Sequence, residues 1–318
     1  MYGQSRGLSL LLLAAVLAAG CSVRRFAIKK IGDAVAAGGS TYESDEDVEL
    51  VGGALPFGLK FIESLLAETP RHRKLLLAAC RGFTLYAYAY VQQDADRIIQ
   101  EDLARGNQLR ARAHRLYMRA SRYGMRALEL SYPGFEDRLR TDPRTAVAAV
   151  RKKKHVPLLY WNAAALGLAI SAARNDAEML ARIPEVEALV GRALELDESW
   201  GDGALHEFQV VFAAARPGAG GPDYEEIRKH FQRALELSGG RRAGLYVAYA
   251  EAVSVRKQDR AEFRRLLEKA LGIDPDAWKE NRLANLLAQR RARWLLGRID
   301  ELFLEEEPDT RVEARLEK

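Results

Sequence analysis

A five-residue phrase that recurs four times constrains the fold more than any single polar residue. The copies are Arg126-Ala127-Leu128-Glu129-Leu130, Arg192-Ala193-Leu194-Glu195-Leu196, Arg233-Ala234-Leu235-Glu236-Leu237 and the looser Lys269-Ala270-Leu271-Gly272-Ile273. Their alanines lie 66, 41 and 36 residues apart. Helical-hairpin repeats have periods of roughly 34 residues. The spacing of 66 reads as two periods with one copy worn away, 36 as one period, and 41 as one period plus a loop insertion. A hairpin of this kind buries its apolar face only by stacking on its neighbours, and the stack presents a concave surface suited to binding. The first expectation is therefore a protein that binds something rather than one that transforms it.

The N-terminus points to a compartment. Leu8 to Ala19 is an apolar run of signal-peptide length, followed by Gly20 and Cys21. It is too short for a comfortable permanent membrane span. The pattern resembles the lipobox of bacterial lipoproteins, in which cleavage precedes a cysteine that is then acylated. The usual Leu three places before the cysteine is here Ala18, with Leu17 one place earlier. An ordinary secretory signal with a chance cysteine is the competing reading. Ser22, where an Asp would retain a lipoprotein in the inner membrane, points to the outer membrane. Each buried methylene of an acyl chain adds about 0.8 kcal/mol of anchoring. The expected divisions are a signal peptide over 1–20, a lipidated Cys21 with a flexible tether over 21–44, a helical repeat domain over 45–304, and a charged tail over 305–318. The other cysteine, Cys80, lies in an apolar run and reads as a buried thiol. No internal disulfide is expected, so stability must come from helix packing.

Net charge is +5, from 49 basic and 44 acidic side chains. Along the helices these are interspersed, as on solvated faces. Arg151-Lys152-Lys153-Lys154 reads as the only basic cluster, and no aromatic residue interleaves it. A loop facing water or anionic head groups fits it better than a nucleic-acid site, and no nucleic-acid partner is expected. After Cys21 no second membrane-length apolar run is read.

Periodicity places the helices. Leu55, Leu59, Ile62 and Leu66 share a helix face that ends at Thr69-Pro70. A long helix follows over about 73–103, in which Tyr86, Tyr88 and Tyr90 point in different directions. Leu109, Ala113, Leu116, Ala120, Tyr123 and Ala127 form the next stripe, broken at Tyr132-Pro133-Gly134. Asp142-Pro143 is a capped helix start, and Pro157 opens another helix. Further helices cover 184–196 and 202–215, then start at Asp223 and Asp259 with capping-box spacing. Asp274-Pro275 is expected to start a final helix running to about Phe303. No segment reads as a strand. The fold class is all-α: stacked helical hairpins, a degenerate tetratricopeptide-like α-solenoid with a long C-terminal capping helix.

Little points to chemistry. There is no Gly-rich phosphate loop and no His or Cys pair at metal-ligand spacing, so neither cofactor nor metal is expected. His206-Glu207 is the only adjacent His and carboxylate, but helix neighbours point about 100° apart and do not form a pair unaided. No catalytic residue is assigned and the chain is not expected to be an enzyme. The candidates for ligand or partner binding lie on presumptive first helices of repeats, which line the concave face. They are Tyr160, Trp161 and Asn162; His206, Glu207 and Gln209; Tyr246, Tyr249 and Glu251; and Asn281 and Asn285. Core packing is the competing reading for the aromatic residues. For the Asn and Glu residues it is a helix-to-helix hydrogen bond or a solvated face. Aromatic, lysine-poor walls suit an apolar or amphipathic ligand.

Several segments together resemble the T component of tripartite ATP-independent periplasmic (TRAP) transporters. They are Leu55-Pro56-Phe57-Gly58-Leu59-Lys60, Gly82-Phe83-Thr84-Leu85-Tyr86-Ala87-Tyr88-Ala89-Tyr90-Val91-Gln92, and Val156-Pro157-Leu158-Leu159-Tyr160-Trp161-Asn162-Ala163-Ala164-Ala165. To these are added Gly203-Ala204-Leu205-His206-Glu207-Phe208, Gln258-Asp259-Arg260-Ala261-Glu262-Phe263, and the run from Asn281 to Ala292. The resemblance implies an all-α, lipid-anchored periplasmic protein that binds the transporter's solute-binding subunit. Some members are homotrimers with a cavity or pore, which implies a role in channelling a small apolar ligand. The alternatives are a structural lipoprotein scaffold of an envelope-assembly complex, and a hydrolase built on His206-Glu207.

Overall fold

The computed structural model describes residues 26–215 and 221–304. Cys21, the signal peptide and the charged tail lie outside the described residues. All regular elements among the described residues are helices, as the periodicity predicts. The chain divides into two compact units, Met1–Trp200 and Gly201–Lys318.

The first unit opens with a helix over residues 26–37 (α1) and a short one, Gly39–Glu43 (α2). This stretch was expected to be a flexible tether. Instead, Gly32 sits against Leu75 and His72, and Asp33 pairs with Lys74 at 3.0 Å. These contacts come from α4, a partner distant in sequence. Val48–Glu68 (α3) follows, with Asp47 capping it by accepting from Leu50 N at 2.8 Å. It is long and apolar enough by length and composition to cross a membrane, a run the sequence reading passed over. One face packs Val51, Leu59, Ile62 and Leu66 inward, while Leu50, Phe57 and Phe61 are exposed.

Arg73–Tyr86 (α4) continues through a π-helical turn, Ala87–Gln92, into Gln93–Ile98 (α5). The expected single helix to about residue 103 stops here, because Asp102 caps Leu103–Glu129 (α6). The alternating tyrosines diverge as residues two apart on a helix must: Tyr88 is exposed, whereas Tyr90 donates to Val48 O at 2.9 Å. Phe135–Thr141 (α7), Pro143–Ala148 (α8), Val156–Ala172 (α9), Ala177–Leu180 (α10) and Ile183–Asp197 (α11) complete the unit. The core is a chain of pairings, α3 on α4, α4 on α6, α6 on α9 and α9 on α11. Close approach of α6 and α9 depends on Gly124, where a Cβ would come within 2.5 Å of Asn162. Cys80 is fully buried, and burial pushes its thiol up to about 12, as befits an inert core thiol.

The second unit contains Ala204–Ala215 (α12), Tyr224–Ser238 (α13), Ala243–Tyr249 (α14) with a π-helical turn Ala250–Ser254, Arg260–Leu271 (α15), Arg282–Leu296 (α16) and Ile299–Leu302 (α17). Consecutive helices pack on each other, α12 on α13, α14 on α15 and α15 on α16. Asp223 and Asp259 cap their helices as their spacing predicts, and Gly239 ends α13 at φ 59°. The expected final helix from Pro275 to Phe303 is in fact broken. Trp278 leaves helical geometry at φ −145°, with its ring against the Arg241 guanidinium, and the helix starts only at Arg282, whose side chain pairs with Asp276 at 2.6 Å. It stops again at Gly297. The four repeat alanines, Ala127, Ala193, Ala234 and Ala270, are each fully buried. The phrase thus marks the buried C-terminal turn of α6, α11, α13 and α15, where a larger side chain would hold the neighbouring helix away.

Candidate functional site

Five of the sequence-selected residues serve packing or helix joining. Asn162 is buried on α9, where Nδ2 donates to Leu158 O at 2.8 Å, and its Oδ1 has no partner. Tyr160 and Trp161 pack in the first unit, Tyr160 between the Trp161 ring at 5.0 Å and the Trp200 ring at 4.8 Å. Asn285 Oδ1 accepts from Ala243 N at 2.9 Å and from Asn281 Nδ2 at 2.9 Å, while its Nδ2 donates to Arg241 O. Asn281 and Asn285 thereby join the start of α16 to the start of α14. The adjacent Gln289 donates to three carbonyls at the end of α15, a role the sequence reading missed.

The polar residues of α12 also separate. His206 is buried and its Nδ1 lies 2.8 Å from His230 Nδ1. Glu207 pairs instead with Arg242 at 2.6 Å. The only adjacent His and carboxylate of the sequence therefore have different partners, as neighbours 100° apart on a helix require. Gln209 is half-buried on the same helix. Glu251 binds Arg291, whose guanidinium covers the Trp294 ring at 4.4 Å.

Tyr246 and Tyr249 come together, one turn apart on α14, around Phe231 of α13. The Phe231 ring centroid is 4.4 Å from that of Tyr249 and 6.1 Å from that of Tyr246. With Leu235 and Leu266 they floor a groove of about 270 Å³. Arg228, Arg265 and Lys269 stand at its rim with Glu262. Burial raises both tyrosine hydroxyls, and Glu262 raises Tyr249 further, so both are neutral at physiological pH. Glu262 is held by Ser254 Oγ at 2.8 Å. Phe231 is not among the candidates the sequence offers. The signal for its role is the spacing of Arg228, Phe231 and Leu235, which share one face of α13. An aromatic floor under a mostly cationic rim is complementary in chemistry to an amphipathic molecule with an anionic end. It presents no nucleophile activated by an adjacent base.

The model of the TRAP transporter T-component family matches residues 44–303, nearly all of both described units. The chain belongs to that family. It is also similar to an uncharacterized protein of Treponema pallidum (strain Nichols), 28% identical over 307 residues, covering 91% of this chain and 95% of the relative. A T-component is an accessory part of a transport system, and membership associates the chain with TRAP transporter components in the cell envelope. The groove of the second unit lies inside the matched region.

Proposed function

We propose that this T-component is a lipid-anchored periplasmic protein that docks the transporter's solute-binding subunit and holds a small amphipathic ligand during its transfer. The supporting observation is the Phe231, Tyr246 and Tyr249 groove inside a chain that matches the family over 44–303. Its volume, about 270 Å³, suits a small ligand, near the lower end of known binding pockets. The residues before the described region carry the anchor in this reading: Cys21 is acylated and Ser22 directs the protein to the outer membrane. A homotrimer surrounding a shared ligand path belongs to the same proposal.

The test is sedimentation of the chain lacking residues 1–21, alone and mixed with the solute-binding subunit encoded beside it. A shift to a defined complex is expected, with a dissociation constant in the micromolar range or tighter. Two species that sediment unchanged at tens of micromolar would leave the docking role without support. A mass of one chain for the protein alone would remove the trimer from the proposal.

A further inference from the structure

Helix α6 is almost purely cationic. Its 27 residues contain seven arginines and a single carboxylate, Glu129, at its last position. The basic cluster at Arg151 to Lys154 is a run of consecutive charges. On α6 the charges are spread by helical spacing. Arg112, Arg115, Arg119, Arg122 and Arg126 alternate by three and four residues and so occupy one face. The stripe spans about 21 Å at 1.5 Å per residue. An open cleft of about 500 Å³ runs among these side chains.

The first unit holds Arg119 in an ion pair, Arg112 by a hydrogen bond to Tyr86 and Arg126 by one to Pro70 O at 3.1 Å, and leaves the other two arginines of the stripe exposed. Arg119 binds Glu63 of α3 at 2.6 Å and lies over the Phe83 ring at 4.9 Å. Burial works against the Glu63 charge, but hydrogen bonds from Lys60 and Tyr123 and the charge of Arg119 outweigh it and keep it ionised. Arg112 lies over the Tyr86 ring, and Arg126 over that of Tyr123. Arg115 and Arg122 are exposed, and among the described residues neither has an ion-pair partner. Among the described residues Glu63 is the one carboxylate that pairs with any of the five guanidiniums. Neighbouring like charges on a helix face repel, so the stripe is unfavourable in the free chain and is relieved when an anionic partner covers it.

The spacing distinguishes the partner. A small free anion would engage two or three neighbouring arginines and leave the others repelling. A membrane surface would be met by exposed apolar side chains among the cations, and none of the exposed large apolar residues lies within the stripe. A single-stranded nucleic acid needs free rings for base stacking, whereas Phe83, Tyr86 and Tyr123 are already covered by guanidiniums. A protein helix with carboxylates at the same three-four alternation matches the stripe along its whole length, and each guanidinium fork suits a carboxylate. We infer that the arginine face of α6 is the docking surface for an acidic helix of the solute-binding subunit. This rests on the docking role proposed above and specifies its surface.

The test measures the affinity of the full chain, in mild detergent, for the solute-binding subunit from about 0.05 to about 0.3 M salt. The double variant Arg115→Glu/Arg122→Glu is compared with a control of equal charge change in the second unit, Arg264→Glu/Lys279→Glu. Both pairs are exposed, so folding is kept and is checked by circular dichroism. The expected result is a loss of affinity of at least about tenfold in the α6 variant, less than about threefold in the control, and a salt dependence that flattens only in the α6 variant. Equal affinities with the same salt dependence would overturn the α6 surface while leaving the docking role intact. A wild-type chain that does not bind the subunit would overturn the docking role itself, and this surface with it. Binding of the chain lacking residues 1–21, but not of the same chain with the α6 substitutions, to anionic vesicles in detergent-free buffer would reassign the stripe to lipid.

Discussion

Nδ1 of His206 on α12 lies 2.8 Å from Nδ1 of His230 on α13, so one proton shared between the rings ties the two helices together. Burial lowers the His230 pKa, and the charge of His206 lowers it further, against an opposing pull from Glu226. The folded value is thus below the unfolded value of about 6.5. Between the two values the unfolded chain binds more protons, so stability rises with pH. The contribution is complete above about pH 6.5 and is lost as pH falls below it. Melting temperatures at about pH 7.5 and about pH 5 should fall further apart in the wild type than in His230→Gln. Equal falls would show that the pair carries no pH dependence.

Gly124 of α6 faces Asn162 of α9 with no room for a side chain. A Cβ there would lie 2.5 to 2.7 Å from the atoms of the buried Asn162 carboxamide. Gly124→Ala should cost about 1–3 kcal/mol by overpacking. Because Asn162 is the obstacle, Gly124→Ala/Asn162→Ala should lose less than the sum of the two single variants. Chemical denaturation of the four proteins checks this, and additive losses would mean that the strain lies elsewhere.

Asn285, a candidate ligand residue by sequence, is a joint between α16 and α14 through its bonds to Ala243 N and Arg241 O. Asn285→Ala leaves a buried backbone N–H unpaired and should cost about 1–3 kcal/mol. Affinity for the solute-binding subunit should stay the same at a temperature where the variant is folded. A stable variant with weakened binding would return Asn285 to the site.

The groove of the second unit should bind anilinonaphthalene sulfonate, an amphipathic anion that matches its aromatic floor and cationic rim. Tyr246→Ala should weaken that binding about tenfold, or ~1.4 kcal/mol. Removal of the exposed Tyr88 of the first unit should leave it unchanged. Fluorescence titration distinguishes the two, and equal losses would mean that the dye is not reading the groove.

What the sequence made legible is local. Asp142, Asp223 and Asp259 cap their helices because an Asx side chain acts on amides two or three residues on. The repeat alanines are buried because small residues at helical spacing are needed where helices approach. What stayed hidden depends on a partner from another helix. The choice between ligand contact and helix joint for Asn162 or Asn285 is made by α6 and α14, distant in sequence. The break at Trp278 places its ring against Arg241, a residue distant in sequence. The groove needs Phe231 of α13 beside the tyrosines of α14, a juxtaposition no single periodicity contains. The arginine face was readable from α6 alone, but only when its charges were placed on a helix and not counted as a run.

The account rests on contact with the solute-binding subunit, and photo-crosslinking in the intact envelope tests it most directly. The full chain carries a benzophenone amino acid in place of Arg122, and in a second strain in place of Arg264. Irradiation should give an adduct containing the solute-binding subunit from position 122 and none, or far less, from position 264. Adducts from position 122 that contain only other proteins, in cells that express the subunit, would contradict the account.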